Sequence, residues 1–190
     1  MSDSNEEEII KQIQNGDTRH YEGIIKKYQD RVFRYAYSKL GNYDDALEAT
    51  QDIFVSVFRS LKNFRGDSKF STWLYSITSN YCKNAKRKSR RMNVVSIFRK
   101  DNEDETELQI VDEREGIEEK VELSNTYEIA TEELQKLPDD YREILVLRDI
   151  EEYSYDEIAD ILNISLSNVK VRIHRGRAML KQRLHKRGLL

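Results

Sequence analysis

The chain has one cysteine, one proline and seven glycines in 190 residues. A lone thiol, Cys82, rules out an internal disulfide and fits a reducing compartment, with helix packing as its expected role. So few helix breakers favour helices joined by short turns. No apolar run approaches the roughly 18 residues that would span a bilayer. The opening Met-Ser-Asp-Ser-Asn-Glu-Glu-Glu has no feature of a signal peptide. A cytoplasmic protein with no membrane insertion is expected. Histidine is also scarce: His20, His174, His185 and the one cysteine make no metal-ligand spacing, and no glycine loop suits a phosphate. Acidic pairs such as Asp139-Asp140 suit a helix N-terminus better than acid–base work. Neither an enzyme, a metal nor a cofactor is expected.

Charge is plentiful and unevenly placed. The net charge of −3 averages unlike segments: residues 1–98 carry 17 bases against 12 acids, residues 99–123 carry 4 against 11, and residues 124–190 carry 11 against 12. From Ser68 to Lys100 there is no acidic side chain, and Lys83–Arg91 reads Lys-Asn-Ala-Lys-Arg-Lys-Ser-Arg-Arg. This run continues an apolar helical pattern of Phe70, Trp73, Leu74, Ile77 and Tyr81. At about 100° per residue, Asn80, Lys83, Arg87 and Arg90 form a stripe beside it. A helix with one face in a core and the next face basic can hold a polyanion at a fixed distance. A solvated charged face would explain the run taken alone, but a second basic element near the C-terminus argues against that.

The first block has the pattern of a helical bundle. Ile9, Ile10 and Ile13 mark a helix over Glu6–Gln14, ended by Gly16-Asp17, which caps the next. Tyr21, Ile24, Ile25, Tyr28, Val32, Ala36 and Leu40 mark a second helix, stopping at Gly41-Asn42. A third, from about Asp44 or Asp45, has Leu47, Thr50, Ile53, Phe54, Val57, Phe58 and Leu61 in register. Arg65-Gly66-Asp67 breaks it before the Trp73 helix. Residues 93–116 lose the pattern, and the acidic run Asp101–Glu107 suits a solvated linker. Periodicity resumes near Ile117, Val121 and Ala130 and reaches Leu134 and Leu137. Pro138 fits the first turn of a further helix, with Tyr141, Ile144, Leu145 and Leu147 on its apolar face. The fold class is all-α, as two small helical domains joined by an acidic linker: residues 1–95, 96–123 and 124–190.

The end of the chain has the marks of a helix-turn-helix. Ser154-Tyr155-Asp156-Glu157 is a capping box, and Ile158, Ala159 and Leu162 follow it. Asn163 suits a left-handed corner, Ile164 plugs the angle, and Ser165 or Ser167 caps a new helix. In that helix Val169, Ile173, Gly176 and Leu180 face inward, while Ser167, Lys170, Val171, His174 and Arg175 face outward. Lys170 and Arg175 can donate to guanine edges, and Val171 can meet a thymine methyl. Arg172, Arg177 and Lys181 on the flanks suit phosphates.

Together these stretches resemble bacterial RNA polymerase sigma factors of the extracytoplasmic-function (ECF) group, over nearly the whole chain. The resemblance is carried by Gln51-Asp52-Ile53-Phe54, by Phe64–Leu74, by Leu137-Pro138 and by Val169–Arg177. It implies that Glu48, Gln51, Asp52, Phe54 and Phe58 bind core RNA polymerase. It further implies that Phe64, Arg65, Phe70, Ser71 and Asn80 read the −10 element of promoter DNA and trap a flipped base. A pocket with stacking and hydrogen-bonding groups makes physical sense there. Lys83, Arg87 and Arg90 would hold the strand's phosphates. Ser167, Lys170, Val171, Arg172, His174, Arg175 and Arg177 would read the −35 element. The linker would thread the polymerase cleft, and an anti-sigma factor would mask the polymerase-binding faces. Two departures stand out: Glu48 where the family often has Asp, and Ser167-Asn168 where it often has Gly-Thr. Trp73 fits the core better than direct DNA contact. A helix-turn-helix regulator acting without polymerase would explain residues 124–190 but leave the first block unemployed.

Overall fold

A computed structural model describes residues 3–97 and 128–189, with side chains over 6–89, 91 and 128–189. Helices and turns make up these residues, with no β-strand among them. The acidic linker expected over 96–123 and the periodicity from Ile117 to Val121 lie mostly or wholly outside them.

The first block consists of α1 (Asp3–Gln14), α2 (Tyr21–Leu40), α3 (Tyr43–Ser60) and α4 (Phe70–Ile97). Local chemistry sets the boundaries. Asp17 caps a short 3-10 turn, Thr18–His20, that leads into α2. Gly41 ends α2 at φ 76°, a left-handed backbone suited to glycine. Asn42 caps α3 by accepting from the Asp45 amide at 3.0 Å, so α3 starts at Tyr43, slightly before the expected acidic pair. A second 3-10 turn, Leu61–Asn63, carries the chain out of α3 with Leu61 buried. α2, α3 and α4 pack around Ile24, Val32, Tyr35, Ile53, Val57, Leu74 and Tyr75, all fully buried. Side chains of this size stabilise by roughly 1.5–3 kcal/mol each on burial. Cys82 joins the packing, and burial pushes its thiol pKa up to about 12. α4 continues to Ile97, two residues past the expected domain edge.

The second block comprises α5 (described over 128–135), α6 (Asp139–Leu145), α7 (Tyr155–Leu162) and α8 (Leu166–Lys186). A π-helical turn, Val146–Ile150, prolongs α6. Pro138 stands at the N-cap of α6 with ψ 143°, not in its first turn, because its backbone remains extended. The capping box of α7 forms as expected: the Ser154 amide donates to Glu157 Oε2 at 2.8 Å and the Glu157 amide to Ser154 Oγ at 3.2 Å. Asn163 takes φ 52°, ψ 53°, and Ser165, rather than Ser167, caps α8. Gly176 lets α8 approach α6 closely: a Cβ there would lie 3.3 Å from Leu145 Cγ.

The blocks pack against each other across buried carboxylates. Glu143 of α6 accepts from the Tyr35 hydroxyl at 2.5 Å, Lys39 Nζ at 2.9 Å and Ser79 Oγ at 2.7 Å. Glu151 accepts from Arg31 Nε at 2.5 Å and the Tyr75 hydroxyl at 2.9 Å. Lys86–Asp139 (2.6 Å) and Lys69–Glu157 (2.9 Å) flank them. Buried acids tolerate such a site only when their acceptor capacity is filled, and here both are supplied by the first block.

Candidate functional site

Three surfaces bear the residues singled out in the sequence. The first is the outer side of α3. Glu48, Gln51 and Asp52 are exposed, and Asp52 Oδ2 accepts from the Tyr81 hydroxyl at 2.5 Å. Burial and this carboxylate push the Tyr81 pKa up. Phe58 is 41% exposed, whereas Phe54 is buried, its carbonyl accepting from the Tyr21 hydroxyl at 2.6 Å. Phe54 therefore forms the floor of this surface rather than an outer contact. Leu47 and Val55, 43% and 47% exposed, stand beside Phe58 although Leu47 and Phe58 share the inward register of the sequence pattern. With Phe33 and Tyr43 they line an open groove of about 900 Å³. Contiguous apolar surface of this kind marks an interaction site. Tyr43, Leu47 and Val55, with Gln51 between, fall at steps of four, a signal present in the sequence of which the core pattern takes up only Leu47.

The second surface is the loop from Phe64 into α4. Phe64, Phe70 and Trp73 form one aromatic cluster, with ring centroids 5.1–5.8 Å apart, and Tyr28 adds an edge contact to Phe70 at 5.7 Å. Phe70 is buried and Phe64 and Trp73 half-buried, so this cluster supports the loop as well as lining it. Trp73 belongs to that packing, in keeping with its core role. A cavity of about 290 Å³ opens between the loop and α1. Arg65 is exposed at its edge and Ser71 half-buried. Asn80, Lys83 and Arg87 follow along α4, exposed, with Arg87 donating to Asn84 Oδ1 at 3.1 Å. Lys83 Nζ lies 3.7 Å from Glu143, so part of the basic stripe faces the second block. The Arg90 side chain lies outside the described residues.

The third surface is the outer edge of α8. Ser167, Lys170, Val171, His174 and Arg175 are all exposed, while Val169, Ile173 and Gly176 are buried and Leu180 half-buried. The two flanking arginines are already paired within the chain. Arg172 donates to Asn168 Oδ1 at 2.9 Å and pairs with Asp140 at 3.2 Å, and Arg177 pairs with Asp149. Both hold α8 to α6 and its π-turn, which leaves fewer donors for a ligand. Lys170, His174 and Arg175 remain an outward polar set on one helical edge, spaced to follow a groove. No cluster of metal-ligating side chains occurs among the described residues, and no described helix is long and apolar enough to cross a membrane.

Comparison with known proteins covers both blocks. The family model for sigma-70 region 2 matches residues 24–92, and that for sigma-70 region 4 matches residues 127–180. The ECF RNA polymerase sigma factor SigW of Bacillus subtilis is 37% identical over 179 residues, covering 92% of this chain and 94% of that protein. The ECF RNA polymerase sigma-E factor of Haemophilus influenzae is 30% identical over 180 residues, covering 93% of each. The fold matches the sigma factor RpoE of Bartonella quintana, solved with the anti-sigma factor NepR, at a TM-score of 0.70 and 21% identity over 87% of this chain and 96% of that one. It also matches CnrH, solved with the cytosolic domain of CnrY, at 0.65 and 23% identity over 94% and 96%. With both blocks matched in order and relatives aligned over more than nine tenths of each chain, the chain belongs to the sigma-70 family, among the RNA polymerase sigma factors of the ECF group.

Proposed function

We propose that this sigma factor is a dissociable initiation subunit with no catalysis of its own. Residues 1–95 bind core RNA polymerase and read and help melt the −10 element. Residues 124–190 read the −35 element, and residues 96–123 thread the polymerase cleft between them. The observation that carries this is the presence of three different faces on one chain. The apolar groove on α3 suits a protein partner. The loop above the aromatic cluster suits an unstacked base, and the outer edge of α8 suits a major groove. A regulator acting without polymerase would use only the last.

Glu48, Gln51, Asp52 and Phe58, seated on the Phe54 floor with Leu47 and Val55, form the polymerase face. Phe64, Arg65, Phe70, Ser71 and Asn80 hold the −10 strand, with Lys83, Arg87 and Arg90 along its phosphates. Lys170, Val171, His174 and Arg175 read the −35 bases. Ser167 sits at the start of that helix, and Arg172 and Arg177 act mainly by holding it. Attachment to polymerase makes the two DNA contacts act together through effective concentration. An anti-sigma factor restrains the chain when polymerase is not engaged. Exposed Leu47, Val55 and Phe58 are a surface that profits from cover, and RpoE and CnrH, which share the fold, were solved bound to NepR and CnrY. The protein is cytoplasmic in this reading.

The test is binding of labelled chain to core polymerase, followed by permanganate mapping of unpaired thymines on promoter DNA. The proposal expects binding to core and a melted −10 region only when chain and core are both present. Duplex binding by the chain alone, with no affinity for core, would favour the stand-alone regulator.

A further inference from the structure

The cavity beneath the Phe64 loop is walled on one side by α1, an element to which the sequence pattern assigns only packing. Gln14 is the last residue of that helix. Its Nε2 donates to the carbonyls of Leu61 at 2.9 Å and Phe64 at 2.8 Å, 47 and 50 residues away. Those carbonyls sit where α3 gives way to the loop, and in the backbone pairing of the described residues no N–H donates to the Phe64 carbonyl in its place. One side chain therefore fixes the take-off point of the segment that carries Phe64 and Arg65.

Glu6 lies two turns earlier on the same helix and on the same cavity wall. It is buried, with Oε1 accepting from Lys27 Nζ at 2.8 Å and from the Tyr28 hydroxyl at 2.9 Å. Among the described residues Oε2 has only the longer 3.2 Å approach of the same hydroxyl. An ionised carboxylate accepts at about four lone-pair sites and donates none, so acceptor capacity remains at Oε2. Phe64, Phe70 and Tyr28 supply aromatic surface at the same cavity. Exposed Arg65 and Lys11 at its edge suit the phosphates on either side of a base that enters it.

We infer that α1 is part of the −10 reading site: Gln14 positions the loop, and Glu6 selects a flipped base whose exocyclic amine stands at the cytosine N4 or adenine N6 position. Cytosine N4 and adenine N6 offer donors to Oε2. Thymine presents carbonyl oxygens at the matching position and is repelled. A polar site of this kind rejects the wrong partner more sharply than an apolar one, because its buried acceptor is otherwise left unpaired. The inference rests on the −10 role proposed above for the loop.

The test uses complete holoenzyme, reconstituted from core polymerase and full-length chain, on a promoter set carrying each base at every non-template −10 position. Open-complex formation is the readout. Wild type is expected to show one position at which cytosine or adenine exceeds thymine by about tenfold. Glu6→Gln keeps an oxygen for Lys27 and Tyr28 and turns an NH2 toward the cavity, so it is expected to erase or invert that preference at that position alone. Gln14→Met, similar in size but with no donor, is expected to weaken opening about equally for every base there. Affinity for core and preferences at −35 stay at wild-type values in both. If wild type discriminates at −10 and both variants discriminate identically to it, the inference is overturned and the −10 role of the loop stands. If either variant loses core affinity and thermal stability together, α1 is only structural and the inference is again overturned. If wild type shows no base preference anywhere in −10, the −10 role itself fails and takes the inference with it.

Discussion

Lys39 Nζ and the Glu143 carboxylate meet at 2.9 Å across 104 residues of chain, one from each block, with side chains only 4% and 2% exposed. Tyr35 and Ser79 complete the acceptor set of the carboxylate, so the pair holds two separately recognisable units in one arrangement.

Breaking such a pair from one side strands the other charge in the interior, at a cost of about 3–5 kcal/mol. Lys39→Met is expected to destabilise the chain by about 3 kcal/mol in chemical denaturation, and Glu143→Leu by a similar amount. The double variant is expected to lose less than the sum, with a coupling of about 1 kcal/mol or more. Additive losses would mean that the two charges do not support each other.

Acid is expected to loosen the same contact. Burial disfavours the Glu143 carboxylate, but Lys39, the Tyr35 hydroxyl and Lys83 outweigh it and hold the pKa below its ordinary 4.5. A carboxyl whose folded pKa is depressed contributes stability that is present above the unfolded value and lost as pH falls through the folded one. Denaturation midpoints measured against pH are expected to fall below about pH 4.5 more steeply in wild type than in Glu143→Gln. Parallel curves would remove Glu143 as a source of the slope.

On α3, Leu47→Glu and Val55→Glu replace exposed apolar groups with charge, so folding stability is expected to change by less than about 0.5 kcal/mol. Affinity for core polymerase is expected to drop at least about tenfold, the scale of losing a central interface contact. Retained affinity in folded variants would move the polymerase face elsewhere.

The arginines of α8 are expected to separate into two kinds. Arg175→Ala, at an exposed position, is expected to cost about 1–3 kcal/mol in −35 discrimination with little change in stability. Arg172→Ala removes contacts to Asn168 and Asp140, so melting temperature is expected to fall while base preference persists. Promoter binding and thermal melts on the same preparations check both.

Features set by neighbours in sequence were legible before the structure. The Ser154–Glu157 box, the left-handed Asn163 and the inward Val169, Ile173 and Gly176 need only a few residues each, and all form as expected. Leu47 and Phe58 show where periodicity stops helping. α3 carries apolar residues on more of its circumference than the bundle covers, and spacing alone does not say which stripe meets the core. The ties of Arg177 to Asp149, of Glu143 to Tyr35 and of Gln14 to the Phe64 carbonyl join residues 28, 108 and 50 positions apart. No local pattern marks such pairs, because each depends on how helices from distant parts of the chain come to rest. Pro138 stands one position before the first turn its sequence predicts for a smaller reason: proline suits both a cap and a first turn, and its ψ decides between them.

Transcription in vitro from a pool of bacterial promoter fragments, with core RNA polymerase in the presence and absence of the chain, tests the central claim most directly. The account predicts discrete new start sites that depend on the chain and share two upstream elements, near −35 and −10. A pool with no chain-dependent start sites, from active core polymerase and folded chain, would contradict it.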